Sequence, residues 1–445
     1  MKQTSPITTA ELKSYRDTYS NDPQMRVLTN AYSKVSISDL AYYQPNANKM
    51  QYDFSVLIPT MNVTNQKGSG RCWIFAALNI LREQIGKELN LEQFELSQSY
   101  CAFWDKFERT NYFLESIIDT AELDTDDRTV TTILQNGVHD GGQWDMFVNI
   151  VNKYGVVPQS VMTETNQSSN TGMMGSLLNT HLKECATKLR KLCGEKKSRD
   201  EITGVKNEML GKIYNFLCMC YGNPPETFDF EYTDKDKVYH CEKGCTPKTF
   251  LEKYFKDNLS DYVSVINAPT KDKPFDEVFT VQYLGNVVEG NKILYLNLEI
   301  EEMKELIIKQ LKDNELVWFG CDCGKYGTSG GIWDDQSLEY ENLTNLTYDL
   351  TKAERLDYRE SAMGHAMVFT GVNLDENGKP NRWKIENSWG SDNRGNQGYY
   401  VCSDTWFDIF VFQAVINKKY LEDKKDILSQ TPFELNAWDP MGSLA

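Results

Sequence analysis

The sequence lacks the features that mark membrane-spanning and nucleic-acid-binding proteins. No apolar run reaches the roughly 18 residues needed to cross a bilayer, and residues 1–6 lead into a polar segment without the apolar core of a signal peptide. The 47 Lys and Arg residues stand against 64 Asp and Glu, which gives a net charge of -17, and they form no basic block. Because nucleic acids and anionic membranes bind clustered basic side chains, we expect neither as a partner.

Histidine is scarce, and the cysteines lack the spacing of a metal site. The chain has 4 His and 11 Cys, and the cysteines are odd in number and scattered, which favours a reducing, cytoplasmic location over a disulfide framework. The nearest approaches to a metal-binding pattern are Cys218-x-Cys220, Cys321-x-Cys323 and His240-Cys241-x3-Cys245. None has the paired C-x2-C spacing of a structural zinc site, so we expect no metal.

The apolar patterns predict an α+β protein that is helical first and sheet-rich later. Helical periodicity marks residues 94–107, 112–121, 146–154, 177–192, 205–221 and 301–312, and short β-branched or aromatic runs mark 54–58, 262–266, 278–283, 293–296 and 317–320. We therefore expect an N-terminal arm (1–50), a helical lobe (51–165), a Lys- and Glu-rich helical insertion (166–260), a β lobe (261–420) and a C-terminal arm (421–445).

The most informative stretch is residues 65–77, Asn-Gln-Lys-Gly-Ser-Gly-Arg-Cys-Trp-Ile-Phe-Ala-Ala. Gly68 and Gly70 allow a tight turn, and the apolar residues that follow recur at helical spacing, so a buried helix should begin near Cys72. The unpaired amides at a helix start favour a thiolate there. A free cysteine is often only a small core residue, so a role as nucleophile requires a histidine partner.

A predicted hairpin supplies that histidine. His365 starts an apolar run, residues 364–372, and a second run follows at 382–390. The connector 375–380 contains Asn-Gly, a strong signal for a hairpin turn. Since His365 and Asn387 lie equally far from the centre of this turn, we expect them to face each other to within a residue or two.

Facing side chains of this kind suit nucleophilic catalysis. The Asn387 oxygen can accept a hydrogen bond from one imidazole nitrogen of His365 and fix the ring, which leaves the other nitrogen for Cys72. Trp389 lies on the same face as Asn387 and can shield that bond from water. A lone strand histidine is usually a core residue and a lone asparagine a surface one, but together with a helix-start cysteine they favour a catalytic triad.

A glycine pair is a candidate substrate-binding segment. Residues 139–144 read His-Asp-Gly-Gly-Gln-Trp. Gly141 and Gly142 would let a ligand approach the backbone closely. An ordinary turn explains the same pair equally well.

These segments resemble the papain-like cysteine peptidases, and more narrowly the aminopeptidase C and bleomycin hydrolase family. The resemblance is carried by residues 65–73, 140–145, 364–366, 386–390 and 437–445, and it extends over nearly the whole chain. It implies a papain-like α+β fold with an N-terminal helical lobe and a C-terminal antiparallel sheet or barrel lobe. His365 follows Cys72 by 293 residues (365 − 72), about twice the spacing typical of papain-type enzymes, which fits an insertion at 166–260.

The resemblance also implies a mechanism and a set of roles. Cys72 would attack a peptide carbonyl as a thiolate held by His365, while Asn387 orients the imidazole. The side-chain amide of Gln66 and the backbone N–H of Cys72 would stabilise the oxyanion. This chemistry requires neither a cofactor nor a metal.

The resemblance further implies how the substrate is chosen. The C-terminal arm would lie in the cleft, and the terminal carboxylate of Ala445 would pair with the α-ammonium of a peptide, so that one N-terminal residue is removed at a time. The family implies a homohexamer and the possibility of bleomycin-hydrolase-like activity. Three alternatives remain open: a papain-like endopeptidase, an acyl transferase, for which Asp in place of Asn387 would be more usual, and a catalytically silent scaffold.

Overall fold

The computed structural model describes residues 5–328, 330–392 and 394–444 and shows an α+β architecture. The α-helices are α1 (Thr9–Asn21), α2 (Pro23–Tyr32), α3 (Ile37–Ala41), α4 (Gln44–Ala47), α5 (Cys72–Glu88), α6 (Gln98–Asp119), α7 (Arg128–Asn136), α8 (Trp144–Tyr154), α9 (Asn166–Ser169), α10 (Gly172–Gly194), α11 (Arg199–Tyr221), α12 (Pro247–Tyr254), α13 (Ile300–Lys312), α14 (Tyr340–Thr344), α15 (Lys352–Asp357), α16 (Asp404–Phe410) and α17 (Lys425–Leu428). Short 3-10 helices span Leu259–Asp261, Lys418–Tyr420, Glu422–Lys424 and Pro440–Gly442.

The strands follow the helical half of the chain, as the sequence predicts. They are β1 (Val56–Leu57), β2 (Phe228–Thr233), β3 (Tyr239–Cys245), β4 (Tyr262–Ile266), β5 (Glu277–Val281), β6 (Tyr295–Asn297), β7 (Val317–Cys321), β8 (Ile332–Trp333), β9 (His365–Leu374), β10 (Pro380–Glu386), β11 (Tyr399–Ser403), β12 (Val411–Asn417) and β13 (Phe433–Leu435). In the described part of the chain they form an eleven-stranded sheet and a separate β2–β3 hairpin.

The large sheet is mixed, so the antiparallel sheet predicted for this lobe also contains parallel pairs. Its order is β13-β5-β6-β4-β12-β7-β9-β10-β11-β8, with β1 added at β9. The pairs β4–β6, β5–β13 and β8–β11 are parallel, and the others are antiparallel. In each parallel pair the two strands are separated along the chain by at least one other strand of the same sheet, which lets them run in the same direction.

The predicted hairpin is present as β9 and β10. Trp383 pairs with Val372 and Glu386 with Val368, with two irregularities along the pair. Next to the turn, Pro380 already pairs with Leu374, so the hairpin is centred on residue 377 rather than 376, and the two irregularities offset each other. At Glu386 the register therefore differs by two residues from the symmetric expectation, which is within the predicted tolerance. Helix α5 packs against β9, and the thiol of Cys72, the first residue of the helix, contacts the backbone of Ala366, the second residue of the strand.

Two helical predictions differ from the structure. Residues predicted as separate helices at 94–107 and 112–121 belong largely to the single helix α6, since no proline or glycine interrupts Gln98–Asp119. The insertion at 166–260 is not purely helical, because β2 and β3 pair within it. His240 lies on β3, and its Nε2 is 2.9 Å from Asp234 Oδ2.

The two ends of the chain are packed differently. Helices α1 and α2 bury none of their residues. The C-terminal segment, by contrast, ends with Met441 and Leu444 buried in the core. Among the described residues, no helix is both long and apolar enough to cross a bilayer.

Candidate active site

The predicted nucleophile occupies the first residue of α5. Cys72 is buried, with 4% of its surface exposed, and its helix begins where the sequence places it. The preceding loop is held from two sides. The backbone N–H of Gly70 donates to Asp140 Oδ2 at 2.9 Å, and Arg71 makes two hydrogen bonds of 3.0 and 2.9 Å to the Glu164 carboxylate. This loop therefore presents the thiol in one fixed orientation.

The predicted histidine and asparagine meet directly. His365 Nε2 lies 2.9 Å from Asn387 Oδ1, and both residues are buried. The same oxygen accepts the backbone N–H of Ser388 at 2.7 Å, which fixes the asparagine side chain. The Trp389 ring stacks on the imidazole with ring centroids 4.8 Å apart, as expected of a residue that shields this bond. Since Nε2 is engaged by Asn387, Nδ1 is the nitrogen oriented for other chemistry.

Gln66 links the nucleophile loop to the segment that follows β10 and carries Asn387. Its Oε1 accepts the Ser388 hydroxyl at 2.7 Å, and its backbone N–H donates to the Ser388 carbonyl at 2.8 Å. Its Nε2 donates one hydrogen bond of 2.6 Å to the Ser69 carbonyl. These contacts fix which end of the amide carries the N–H groups, and place them beside the loop that leads to Cys72.

Burial dominates the protonation of the Cys–His pair. It raises the pKa of the Cys72 thiol to about 11, against the backbone amides of Ala366, Trp73 and Cys72 itself, which lower it. Burial also lowers the pKa of His365 to about 4, although the hydrogen bond to Asn387 raises it. Burial therefore opposes the lowered thiol pKa predicted from the helix start, because loss of water outweighs the backbone amides. It also favours the neutral form of the imidazole.

Two buried ion pairs beside the site were not predicted. Lys106 Nζ lies 2.8 Å from Asp140 Oδ1, and Arg82 Nη2 lies 2.9 Å from Glu386 Oε1. The second pair joins α5 to the residue immediately before Asn387. The only feature of the sequence that could have drawn attention to Glu386 was its position next to Asn387. Lys106 and Arg82 lie in helices, where charged side chains usually face water, so the sequence pattern did not distinguish them.

The two glycines of the predicted substrate-binding segment have different surroundings. A Cβ at Gly141 would lie 2.1 Å from the Leu444 carbonyl oxygen, so its missing side chain makes room for the C-terminal segment. A Cβ at Gly142 would lie 2.4 Å from the Trp73 ring, so this glycine makes room for a core side chain. Gly141 is thus the glycine at which another chain segment approaches the backbone.

The C-terminal segment is anchored up to the site. Lys273 Nζ, buried, pairs with Asp439 Oδ2 at 2.9 Å, and the Tyr295 hydroxyl donates to the Met441 carbonyl at 3.1 Å. Ser443 Oγ donates to the carbonyl of Met363, two residues before His365, at 2.7 Å. The predicted contact of the Ala445 carboxylate lies outside the described residues.

Across residues 5–328, 330–392 and 394–444, no cluster of His, Cys, Asp and Glu is arranged to hold a metal ion. A helix-start cysteine beside a strand-borne histidine, whose ring an asparagine fixes, is the arrangement of the papain-like cysteine peptidases.

Comparison with known proteins defines the family. The Peptidase C1-like family model matches residues 6–442. Aminopeptidase C of Listeria monocytogenes is 47% identical over 441 residues, which cover 99% of both chains. Bleomycin hydrolase of Homo sapiens is 40% identical over 436 residues, with 96% of each chain covered. The crystal structure of PepW from Lactobacillus rhamnosis HN001 has a TM-score of 0.97 and 46% identity, and covers 99% of this chain and 100% of that one.

The chain belongs to the Peptidase C1-like family, and the papain-like fold predicted from its sequence is confirmed. Its full-length similarity to aminopeptidases C and to bleomycin hydrolase confirms the narrower resemblance as well.

Proposed function

We propose that this chain is a cysteine aminopeptidase in which Cys72 is the nucleophile and His365 is its base. Family membership and full-length similarity to aminopeptidases C support the activity. The observation that carries the assignment of residues is the 2.9 Å hydrogen bond between His365 Nε2 and Asn387 Oδ1 beside the start of α5. In this assignment Asn387 orients the imidazole of His365, and Trp389 covers the hydrogen bond between these two residues.

In the proposed reaction, the buried pair moves a proton without changing its net charge. His365 Nδ1 takes the proton of Cys72 as the sulfur attacks the carbonyl carbon of the first peptide bond. The Gln66 amide and the Cys72 backbone N–H donate to the oxyanion, each worth about 2.7–4 kcal/mol in comparable sites. His365 then protonates the leaving amine, and water hydrolyses the thioester. Asn387 keeps the ring in place throughout.

The restriction to the N-terminal end of a peptide is proposed to come from the C-terminal segment. Leu444 lies against Gly141 and is buried, so the segment fills one side of the cleft by bulk. Substrate can then extend only in the other direction from the nucleophile. The proposed pairing of the Ala445 carboxylate with the α-ammonium of the substrate would fix its first residue.

The catalytic assignment is tested with a fluorogenic amino-acid amide. Cys72→Ala should reduce turnover by roughly 10⁴-fold or more, as removal of a nucleophile does in comparable triads, with an unchanged circular dichroism spectrum. Cys241→Ser is the matched control, because that thiol is free and exposed, and it should keep full activity. A thiol alkylator should inactivate the control and the wild type alike. Retained activity in Cys72→Ala would remove this residue from the role.

Location and assembly are further parts of the proposal. The eleven free cysteines support a reducing compartment such as the cytoplasm. The exposed apolar side chains of the N-terminal arm, such as Ile7 and Val27, support self-association, which we propose to be a homohexamer. Light scattering on the purified protein tests the assembly.

Bleomycin-hydrolase-like activity is a further part of the proposal, and incubation of the protein with bleomycin tests it. Because the net charge is -17, we expect no binding of nucleic acid in a gel-shift assay.

A further inference from the structure

A recess lies beside the catalytic histidine, away from the C-terminal segment. It measures about 480 Å³ and is lined by Asn65, Lys67, Trp389, Asp392 and Arg394. Trp389 is the ring that stacks on His365, so the recess opens next to the base. The described residues of the C-terminal segment contribute nothing to its lining.

The position of the recess indicates that it would bind the part of the peptide that lies beyond the scissile bond. The C-terminal segment reaches Gly141 and Met363, on the side where the first residue of a peptide would sit. The part of the peptide beyond the scissile bond must leave in the other direction. Trp389 is the part of the site that borders the recess, so the residue after the cut would pass over this ring and enter it.

The charge of the recess differs in sign from that of the protein. Lys67 and Arg394 contribute two cations and Asp392 one anion, whereas the chain as a whole carries -17. Lys67 has a backbone φ of 53°, in the left-handed region, and its N–H donates to Asn65 Oδ1 at 3.0 Å. This turn fixes the backbone from which the lysine side chain extends. The recess is therefore a local positive site on an acidic molecule.

We propose that this recess binds a carboxylate on the leaving side of the cut, and that Lys67 and Arg394 thereby determine specificity. The carboxylate is the side chain of an acidic second residue or the free C-terminus of a dipeptide. Lys67 supplies a point charge, and the planar guanidinium of Arg394 can bind both carboxylate oxygens. The inference rests on the proposed aminopeptidase activity and extends it to a substrate class.

The two carboxylate sources are separated by four substrates. Ala-Glu-Ala-amide against Ala-Gln-Ala-amide tests the side chain, and Ala-Ala against Ala-Ala-amide tests the terminal carboxylate. The wild type should favour the charged member of at least one pair by roughly 3- to 10-fold in kcat/KM at low salt, the size expected of exposed charge pairs. The preference should shrink as salt is added, because the charges are screened.

Variants then assign the preference to the recess. Lys67→Gln combined with Arg394→Gln should abolish it, Asp392→Asn should increase it, and Lys67→Glu with Arg394→Glu should invert it toward Ala-Lys-Ala-amide. Lys191→Gln, whose side chain is 76% exposed on the remote helix α10, is the matched control and should keep the wild-type ratios. The ratio of the kcat/KM values of two substrates, measured on the same variant, does not change if part of the protein is unfolded.

The outcomes distinguish the inference from the function on which it rests. Equal kcat/KM for both members of both pairs in the wild type would overturn the recess proposal while leaving the aminopeptidase intact. A preference that survives loss of both cations would overturn it too. Failure of the wild type to cleave any of these substrates or a fluorogenic amino-acid amide would instead overturn the proposed function, and the inference with it.

Discussion

The two ends of this chain carry similar apolar side chains but lie in opposite environments. At the N-terminal end, Ile7 and Val27 are 72% and 68% exposed, and neither α1 nor α2 buries a residue. At the C-terminal end, Met441 and Leu444 are 0% and 4% exposed. Apolar content therefore does not decide whether a terminal segment joins the core. The C-terminal end joins it because a buried ion pair and several hydrogen bonds hold it, whereas α1 and α2 make no comparable buried contacts and stay exposed.

The largest expected effect is on the pH dependence of activity, which removal of the C-terminal end should change and removal of the N-terminal end should not. Burial lowers the pKa of His365 to about 4 from 6.5, so the imidazole stays neutral and able to take the thiol proton down to that pH. Below it, solvent protons occupy the imidazole and kcat/KM should fall tenfold per pH unit. Removal of residues 438–445 admits water and should move this acid limb up toward pH 6.5. Removal of residues 1–32 should leave it in place, and a limb near 6.5 in the full-length protein would contradict the account.

The next largest effect concerns the anchor of the C-terminal end. Lys273→Met leaves Asp439 without its buried partner and should cost about 3 kcal/mol in the free energy of unfolding, measured with urea. The neighbouring pair of Lys292 and Glu434 is exposed, with the two groups 3.5 Å apart, so Glu434→Gln should cost less than about 1 kcal/mol. Equal costs for the two variants would show that the Lys273 pair does not hold the segment.

The smallest expected effect on stability belongs to the N-terminal end. Val27→Glu should change the free energy of unfolding by no more than about 0.5 kcal/mol, because the side chain is 68% exposed. If this surface joins copies, however, the same variant should lower the mass of the assembly by light scattering. Gln24→Glu adds the same charge on the same helix and serves as the control. An unchanged assembly in Val27→Glu would separate this helix from self-association.

Features with strong local signals were predictable from the sequence. Helix α5 begins at Cys72 as its apolar spacing predicts, and the Asn-Gly turn correctly indicated the hairpin that brings His365 to Asn387. Both depend on contacts between residues near in sequence or related by one turn. At the Asn387 end the register was right to within two residues, and the error came from the centre of the turn, which lies at residue 377 rather than 376.

Features set by distant partners were not predictable. The parallel strand pairs depend on how the chain crosses the sheet. The β2–β3 hairpin, by contrast, is local, and the alternation of buried and exposed residues along β2 is a signal that the helical interpretation of 166–260 missed. The ion pair of Lys106 with Asp140 joins a helix to a loop, and no periodicity reveals it. The neutral form of the buried Cys–His pair depends on the exclusion of water by the folded chain, which a local sequence does not contain.

The central claim is that Cys72 removes one residue at a time because the C-terminal segment fills one side of its cleft. The most direct test follows the early products of an unmodified ten-residue peptide by mass spectrometry. The full-length protein should release single amino acids in order from the N-terminus, and a protein lacking residues 438–445 should also cut internal bonds. Internal cleavage by the full-length protein, or an unchanged ladder after truncation, would contradict the claim.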